Sequence, residues 1–318
     1  MIDFRYHIVS IVSIFLALAV GIVLGAGPLQ NEIGSTLQSE ISGLRDDKAQ
    51  LNTDLELSRA EIERQDSYLA AVSTRVLAGA LEGRTVAVVV LPGADAAVGE
   101  AVVEAIGAAD GRVASTTSVT SDWVSTDEDI AAARDRTVTE VATQTGTDTG
   151  EAGLTPRDAL LASLLTRSAP AGDSGPDDTT ARTGLDTLAE AGLISLDADD
   201  FTRAELVVVV AGVTADGDEA ANAESAGRWV DLTMALNAPS RGAVLAADVD
   251  TETEGVSVLA TLREEAGADA SVSSVDDAAG PVGIASVVFA LREQDGGSSG
   301  HYGLAPGADA PYAPVPGS

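Results

Sequence analysis

No residue between Ile8 and Asn31 carries a charge, and Ile8 to Gly27 is almost wholly apolar or small. As a helix, those twenty positions span about 30 Å, the thickness of a hydrocarbon core. Water is a poor solvent for such a segment, so it constrains the whole chain. One rival reading is a cleaved secretion signal. Signals carry an apolar region of only ~7–15 residues behind a basic lead-in. Here the run is longer, the lead-in holds only Arg5, and "LGAG" is a poor cleavage site. We therefore expect residues 1–30 to form a short lead and an uncleaved transmembrane anchor, with Gly27-Pro28 breaking the helix at its exit. Arg5 and the amino terminus flank one end; Arg45 and Lys48 come late on the other, beside Asp46 and Asp47. This charge bias points to a cytoplasmic N-terminus and an extracytoplasmic bulk, in a cell membrane crossed once.

A second pattern starts where the first ends. With Leu37 at heptad position d, the a and d positions are Leu37, Ile41, Leu44, Lys48, Leu51, Leu55, Ser58, Ile62, Gln65, Leu69, Val72 and Val76. Nine of these twelve are apolar, and a helix of period 3.6 would drift off the stripe. We expect a coiled coil over residues 31–80. Positions g are acidic at Glu40, Asp47, Asp54 and Glu61, and two e positions are Arg45 and Arg59. In a parallel pair these give Glu40–Arg45 and Asp54–Arg59 contacts, worth only ~0.2–1 kcal/mol each. Glu61 would face Asp66 with like charge, which a different partner helix would relieve. Lys48 at an a position disfavours higher-order bundles. The spacing leaves self-pairing and pairing with another chain both open. It also leaves open a long helix lying on its own domain.

Past "LEGR" the period changes. "TVAVVVL" (Thr85–Leu91) and "ELVVVVAGV" (Glu205–Val213) read as strands covered on both faces. Further strands are expected at Arg112–Thr120, Leu193–Leu196, Gly242–Asp248 and Ala270–Val275. Helices are expected at Ala96–Ala109, from Thr155-Pro156, and over Ala220–Leu236, Val256–Glu265 and Pro281–Glu293, with Thr155 and Asp158 forming a capping turn. The alternation predicts an α/β domain over 84–294 with a doubly wound, mostly parallel, Rossmann-like sheet. Thr137–Gly153 and Ser168–Thr183 read as loops, and the Gly- and Pro-rich tail 295–318 as unfolded.

Little in the chain suggests chemistry. The first strand-to-helix turn, "LPGADAAVGE", lacks G-x-G-x-x-G and G-x-x-x-x-G-K-[ST], so no nucleotide fingerprint is present. Cysteine is absent, which removes disulfides, thiolate metal sites and cysteine nucleophiles. His7 and His301 have no nucleophile or acid fixed nearby in sequence. Acidic runs occur at Asp197, Asp199 and Asp200; at Asp216, Asp218 and Glu219; and at Asp248, Asp250, Glu252 and Glu254. In the last run a calcium loop would need Gly at Thr253 and Glu at Leu259; all three read as solvated loops. No catalytic, cofactor or metal-binding residue is assigned. The net charge of −32, from 50 acidic and 18 basic residues, argues against nucleic acid as a partner.

The opening "MIDFRYHIVSIVSIFLALAVGIVLGAGPL" resembles the start of the MctB family of actinobacterial envelope proteins, which share an "FLALAVGIVLG" anchor, a coiled coil and an α/β domain. The resemblance implies copper transport or homeostasis and an outer-membrane role. It also implies kinship with SteB, a member associated with cell separation, and hence a SteA-like membrane protein as a possible coiled-coil partner. Copper enters by this resemblance alone. Copper(I) favours thiolate and thioether ligands, and this chain offers only Met1 and Met234. A pore would need many ~10-residue amphipathic strands with aromatic girdles, whereas aromatics make up 3% of the residues. The expectation is therefore a non-catalytic membrane scaffold, with the seam Leu37, Ile41, Leu44, Lys48, Leu51, Leu55, Ile62, Leu69, Val72 and Val76 as its interface. The alternatives are a direct copper transport component and an enzyme with an unrecognised site on the α/β domain.

Overall fold

The computed structural model describes residues 4–26, 29–150, 153–168, 175–215, 217–248, 254–266 and 271–315. They fall into two compact units, Met1–Gln65 and Asp66–Ser318. The expected break at Gly27-Pro28 lies outside the described residues.

The first unit holds helix α1 (Phe4–Ala26) and most of helix α2 (Leu29–Leu77). α1 is built of Ile, Val, Leu and Ala, and its side chains from Phe4 to Gly25 are exposed. Its Ser13 hydroxyl donates to the Val9 carbonyl at 2.8 Å, so this polar group is satisfied within the helix. Among the described residues α1 is the one helix long and apolar enough to cross a membrane, with mean hydropathy 2.8 over Phe4–Gly25. α2 runs for 49 residues, about 74 Å at 1.5 Å per residue.

The second unit is an α/β domain. Its strands are β1 (Thr85–Val90), β2 (Arg112–Val119), β3 (Ile194–Asp197), β4 (Leu206–Ala211), β5 (Val213–Thr214), β6 (Gly242–Ala247), β7 (Val256–Ser257), β8 (Ser273–Val275) and β9 (His301–Tyr302). The helices are α3 (Ala96–Ala108), α4 (Glu128–Thr145), α5 (Pro156–Leu165), α6 (Asp178–Glu190), α7 (Glu219–Asn237), α8 (Val258–Ala266) and α9 (Pro281–Asp295). Seven strands form one sheet in the order β3-β2-β1-β4-β6-β8-β9. Only β3 runs antiparallel to its neighbour; the other pairings are parallel. β5 and β7 make a separate two-stranded ribbon.

The valine runs are explained by two cores. In β4, Val207 and Val209 face a cluster with Leu160, Leu164 and Trp229. Leu206, Val208 and Val210 face the opposite cluster with Ile106, Val287 and Leu291. A strand covered on both sides has no polar face to alternate with. The end of α2 joins the second cluster through Leu77, followed by Leu81.

Four expectations are corrected. Thr137–Gly153 is not a loop throughout, because Thr137–Thr145 completes α4 and buries Val138, Val141 and Thr145. Its threonines hide the helical pattern by bonding back one turn, as Thr139 does to Asp135 and Thr143 to Thr139, both at 2.8 Å. Within Ser168–Thr183, α6 already starts at Asp178, its first amides held by the Asp177 carboxylate. Thr155 sits at the N-cap of α5 but makes no capping bond. Its hydroxyl donates instead to Asp158, which is buried, accepts from Trp123 Nε1 at 2.8 Å and has its carboxyl pushed up chiefly by that burial.

The fourth correction is the tail, whose described residues up to 315 include a strand of the sheet. β9 adds to the sheet edge beside β8, pairing Ser274 with His301 and Val275 with Tyr302. The Arg263 guanidinium fixes it there. Nη1 reaches Asp276 Oδ2 at 2.7 Å, Nη2 reaches the Tyr302 carbonyl at 2.9 Å and Nε reaches Ser274 Oγ at 2.9 Å. Asp276 in turn accepts from the amides of Leu304 and Ala305 at 2.8 and 3.0 Å. Gly303 is glycine for contact, since a Cβ there would lie 2.0 Å from Asp276 Oδ1. Glycine content that reads as disorder is here a close approach to a buried carboxylate.

The Arg263–Asp276 pair is 2% and 3% exposed on its side chains. Removing one member of a buried ion pair costs about 3–5 kcal/mol. Arg263→Ala should destabilise the protein by that amount in chemical denaturation. It should also abolish the amide-exchange protection of residues 301–305.

Candidate docking surface on the long helix

α2 presents the seam to solvent. Leu44 and Leu51 are each 68% exposed, and Leu37, Ile41, Leu55 and Ile62 lie between 43% and 56%. Lys48 is exposed on the same stripe. These residues share a face because α2 stays helical from Leu29 to Leu77, and no glycine or proline falls between Leu44 and Val76. Leu69, Val72 and Val76 belong to the second unit. There they line an apolar hollow of about 150 Å³ with Val282, Phe289 and Tyr312, and Val72 is half-buried.

The charged flanks are open. Among the described residues no ion pair within the chain engages Glu40, Arg45, Asp54 or Arg59. Glu61 differs: Gln65 Nε2 donates to it at 2.8 Å and Arg64 pairs with it. The Gln65 bond first, then Arg64, holds the Glu61 carboxyl below its usual value. The one acidic g position whose cross-strand partner would be Asp66 is thus already engaged within its own helix.

The carboxyl edge of the sheet is the other place to look for a site. The loops after β1 and β4 touch there, for a Cβ on Gly212 would meet the Gly93 carbonyl oxygen at 1.9 Å. The first turns of the nearby helices are closed by their own carboxylates. Asp95 accepts from Ala97 N, Asp127 from Asp129 N and Ile130 N, and Asp218 from Ala221 N. A phosphate needs those amides free, so the geometry agrees with the missing nucleotide fingerprint. Beside these loops lies a cleft of about 680 Å³ bounded by Gly93, Asp122, Thr214, Asn222 and Arg228. Sequence reasoning missed it, because its walls come from four segments that only the strand order brings together.

The donors for copper are scattered. His7 lies on α1. His301 in β9 has Nδ1 at 2.8 Å from Ser274 Oγ, and burial, then Arg263, pushes its imidazole pKa down. Met234 packs its side chain against the core, and Met1 lies outside the described residues. Among the described residues no three His, Cys, Asp or Glu side chains group to hold an ion. A copper(I) site of soft ligands does not fit this donor set within one chain. Of the acidic runs, Asp216, Asp250 and Glu252 lie outside the described residues. A different acidic neighbourhood emerges at Asp277, whose carboxyl is pushed up by burial and then by Asp248, Asp276 and Asp66.

Comparison with known proteins covers nearly the whole chain. The family described as "Copper transport outer membrane protein, MctB" matches residues 1–313. The "Copper transporter MctB" of Mycobacterium tuberculosis (strain H37Rv) is 30% identical over 312 residues, covering 97% of this chain and 98% of that protein. The protein of the same name from Mycobacterium leprae is 28% identical over 329 residues, with 97% and 98% covered. A match of that extent, from the apolar opening helix to the last strand of the sheet, places the chain in the MctB family.

Proposed function

We propose that the chain is a membrane-anchored envelope protein serving copper transport or homeostasis, and that it acts as a docking scaffold rather than a pore. α1 is its single span, with a short cytoplasmic N-terminus and an extracytoplasmic bulk. α2 pairs in parallel with a second copy of itself. The α/β domain is a non-catalytic binding module. The copper connection comes from the family and from relatives named as copper transporters. The observation that carries the scaffold reading is the solvent-exposed leucine stripe of α2.

Magnitudes rank the contributions. Burying a leucine gains about 1.5–3 kcal/mol, whereas an exposed ion pair gains about 0.2–1 kcal/mol. The leucines then drive pairing, while Arg45 and Arg59 choose register. A shared anchor favours the parallel arrangement, since both chains leave one membrane. The helical span suits an inner membrane, because outer membranes host closed barrels. The sheet of this chain is open-edged and covered by helices, unlike a lipid-facing barrel.

The relatives' name favours a second reading, a direct role in moving copper. The scattered His and Met residues count against it for one chain. A SteA-like partner on the same seam is the third possibility, in keeping with the Glu61–Asp66 mismatch.

Because the chain has no cysteine, single introduced cysteines give clean cross-links. Under mild oxidation in membranes, Leu44→Cys and Leu51→Cys should form disulfide-linked dimers, and Thr53→Cys, on the outer face, should not. Equal yields at all three positions, or none at any, would contradict self-pairing through this seam.

A further inference from the structure

The chain order of the sheet reverses between β1 and β4. α3 carries the chain from β1 to β2 on one side, and α7 carries it from β4 to β6 on the other. Open α/β sheets bind ligands in the crevice at such a reversal, outside the strand carboxyl ends. The 680 Å³ cleft lies there, and its volume is that of a small-molecule site. We propose that it binds a neutral saccharide.

The floor and the rim of the cleft differ. On the floor, Thr214 Oγ1 donates to the Asn222 carbonyl at 2.8 Å. Asn222 clamps Gly217, accepting from its amide at 2.9 Å and donating to its carbonyl at 3.0 Å. Those groups are satisfied and rigid. On the rim, the solvent-accessible residues Ser121, Asp122, Thr126 and Ser225 line the cleft, and their side chains have no hydrogen-bond partner among the described residues. Three of the four are hydroxyls, which both donate and accept, and the fourth is a carboxylate acceptor. Ile130 and Val213 add apolar surface.

Charge narrows the ligand. Asp127 and Asp218 close the helix starts at this edge. The single guanidinium, Arg228, is engaged by Glu224 at 2.6 Å and by the Val124 carbonyl at 3.3 Å. Anions therefore meet the Asp122 carboxylate, and among the described lining residues the one cation is already engaged. A wholly apolar ligand would strip water from four polar side chains without replacing it. A saccharide meets all these conditions: its hydroxyls donate and accept, its C–H faces suit Ile130 and Val213, and it carries no charge. This proposal stands on the cleft alone and does not depend on the pairing of α2.

The test uses the full chain in nanodiscs with glucose, galactose, arabinose and N-acetylglucosamine as probes. Emission from tryptophan is the readout, because Trp229 lines the cleft and Trp123 stands beside its rim residues. At least one probe should give a saturable change at millimolar concentration. Asp122→Ala should weaken it by roughly tenfold, the value of a hydrogen bond to a charged acceptor, and Ser225→Phe should abolish it by filling the cleft. Both variants should keep the parent melting temperature; Asp122→Asn serves if Asp122→Ala does not. No saturable change with any probe, or binding indifferent to both positions, would overturn the proposal. Saturable binding of inorganic phosphate or spermidine that the two variants abolish would overturn the ligand class.

Discussion

Apolar stripes on long helices need cover, and the first unit of this protein carries one on α2. α2 exposes leucine after leucine along a single face, and its intrahelical contacts do nothing to hide them. Hydrophobic burial scales with area, so a stripe of this length supplies the largest unrealised free energy in the first unit outside α1. α1 has its own solution, a bilayer. For α2 the apolar period of seven residues is a pattern that two helices can share.

The α/β domain follows a different logic, in which nearly all the apolar surface is already covered. β4 is buried on both faces, and His301 and Tyr302 are drawn in as β9 beside the Arg263–Asp276 pair. Completing the edge of the sheet with the tail leaves a very short strand outermost, which limits edge-to-edge pairing. Functional chemistry is correspondingly sparse. The strand-end loops pack on one another at Gly93 and Gly212, and the helix starts nearby are capped by aspartates. What stays open at the carboxyl edge is a cleft lined by polar side chains such as Asp122, Thr214 and Asn222.

How much of this was legible in the sequence depends on how locally each signal is written. The membrane-length helix, the long helix α2 and the valine strands are each carried by contiguous residues, and these helices and strands appear as expected. The second half of α4 hides in the sequence because Thr137, Thr139, Thr143 and Thr145 satisfy their hydroxyls on the helix itself, which composition cannot reveal. Structure in the tail is hidden in the sequence because Gly303 looks like flexibility until Asp276, 27 positions earlier, is placed against it. Of the candidate interface, Leu37 to Ile62 lies exposed on α2, while Leu69, Val72 and Val76 share an apolar hollow with α9. Only tertiary placement separates those two groups. The cleft was invisible for the same reason, since Ser121, Thr214 and Ser225 are neighbours only through the strand order.

Light-scattering mass of the full chain in detergent, corrected for the micelle, tests the central claim most directly. Pairing through the leucine stripe predicts the mass of two chains, falling to one in the Leu51→Asp, Leu55→Asp double variant with helix content of the α/β domain unchanged. A single-chain mass for the parent at all concentrations, or a dimer indifferent to those two substitutions, would contradict it.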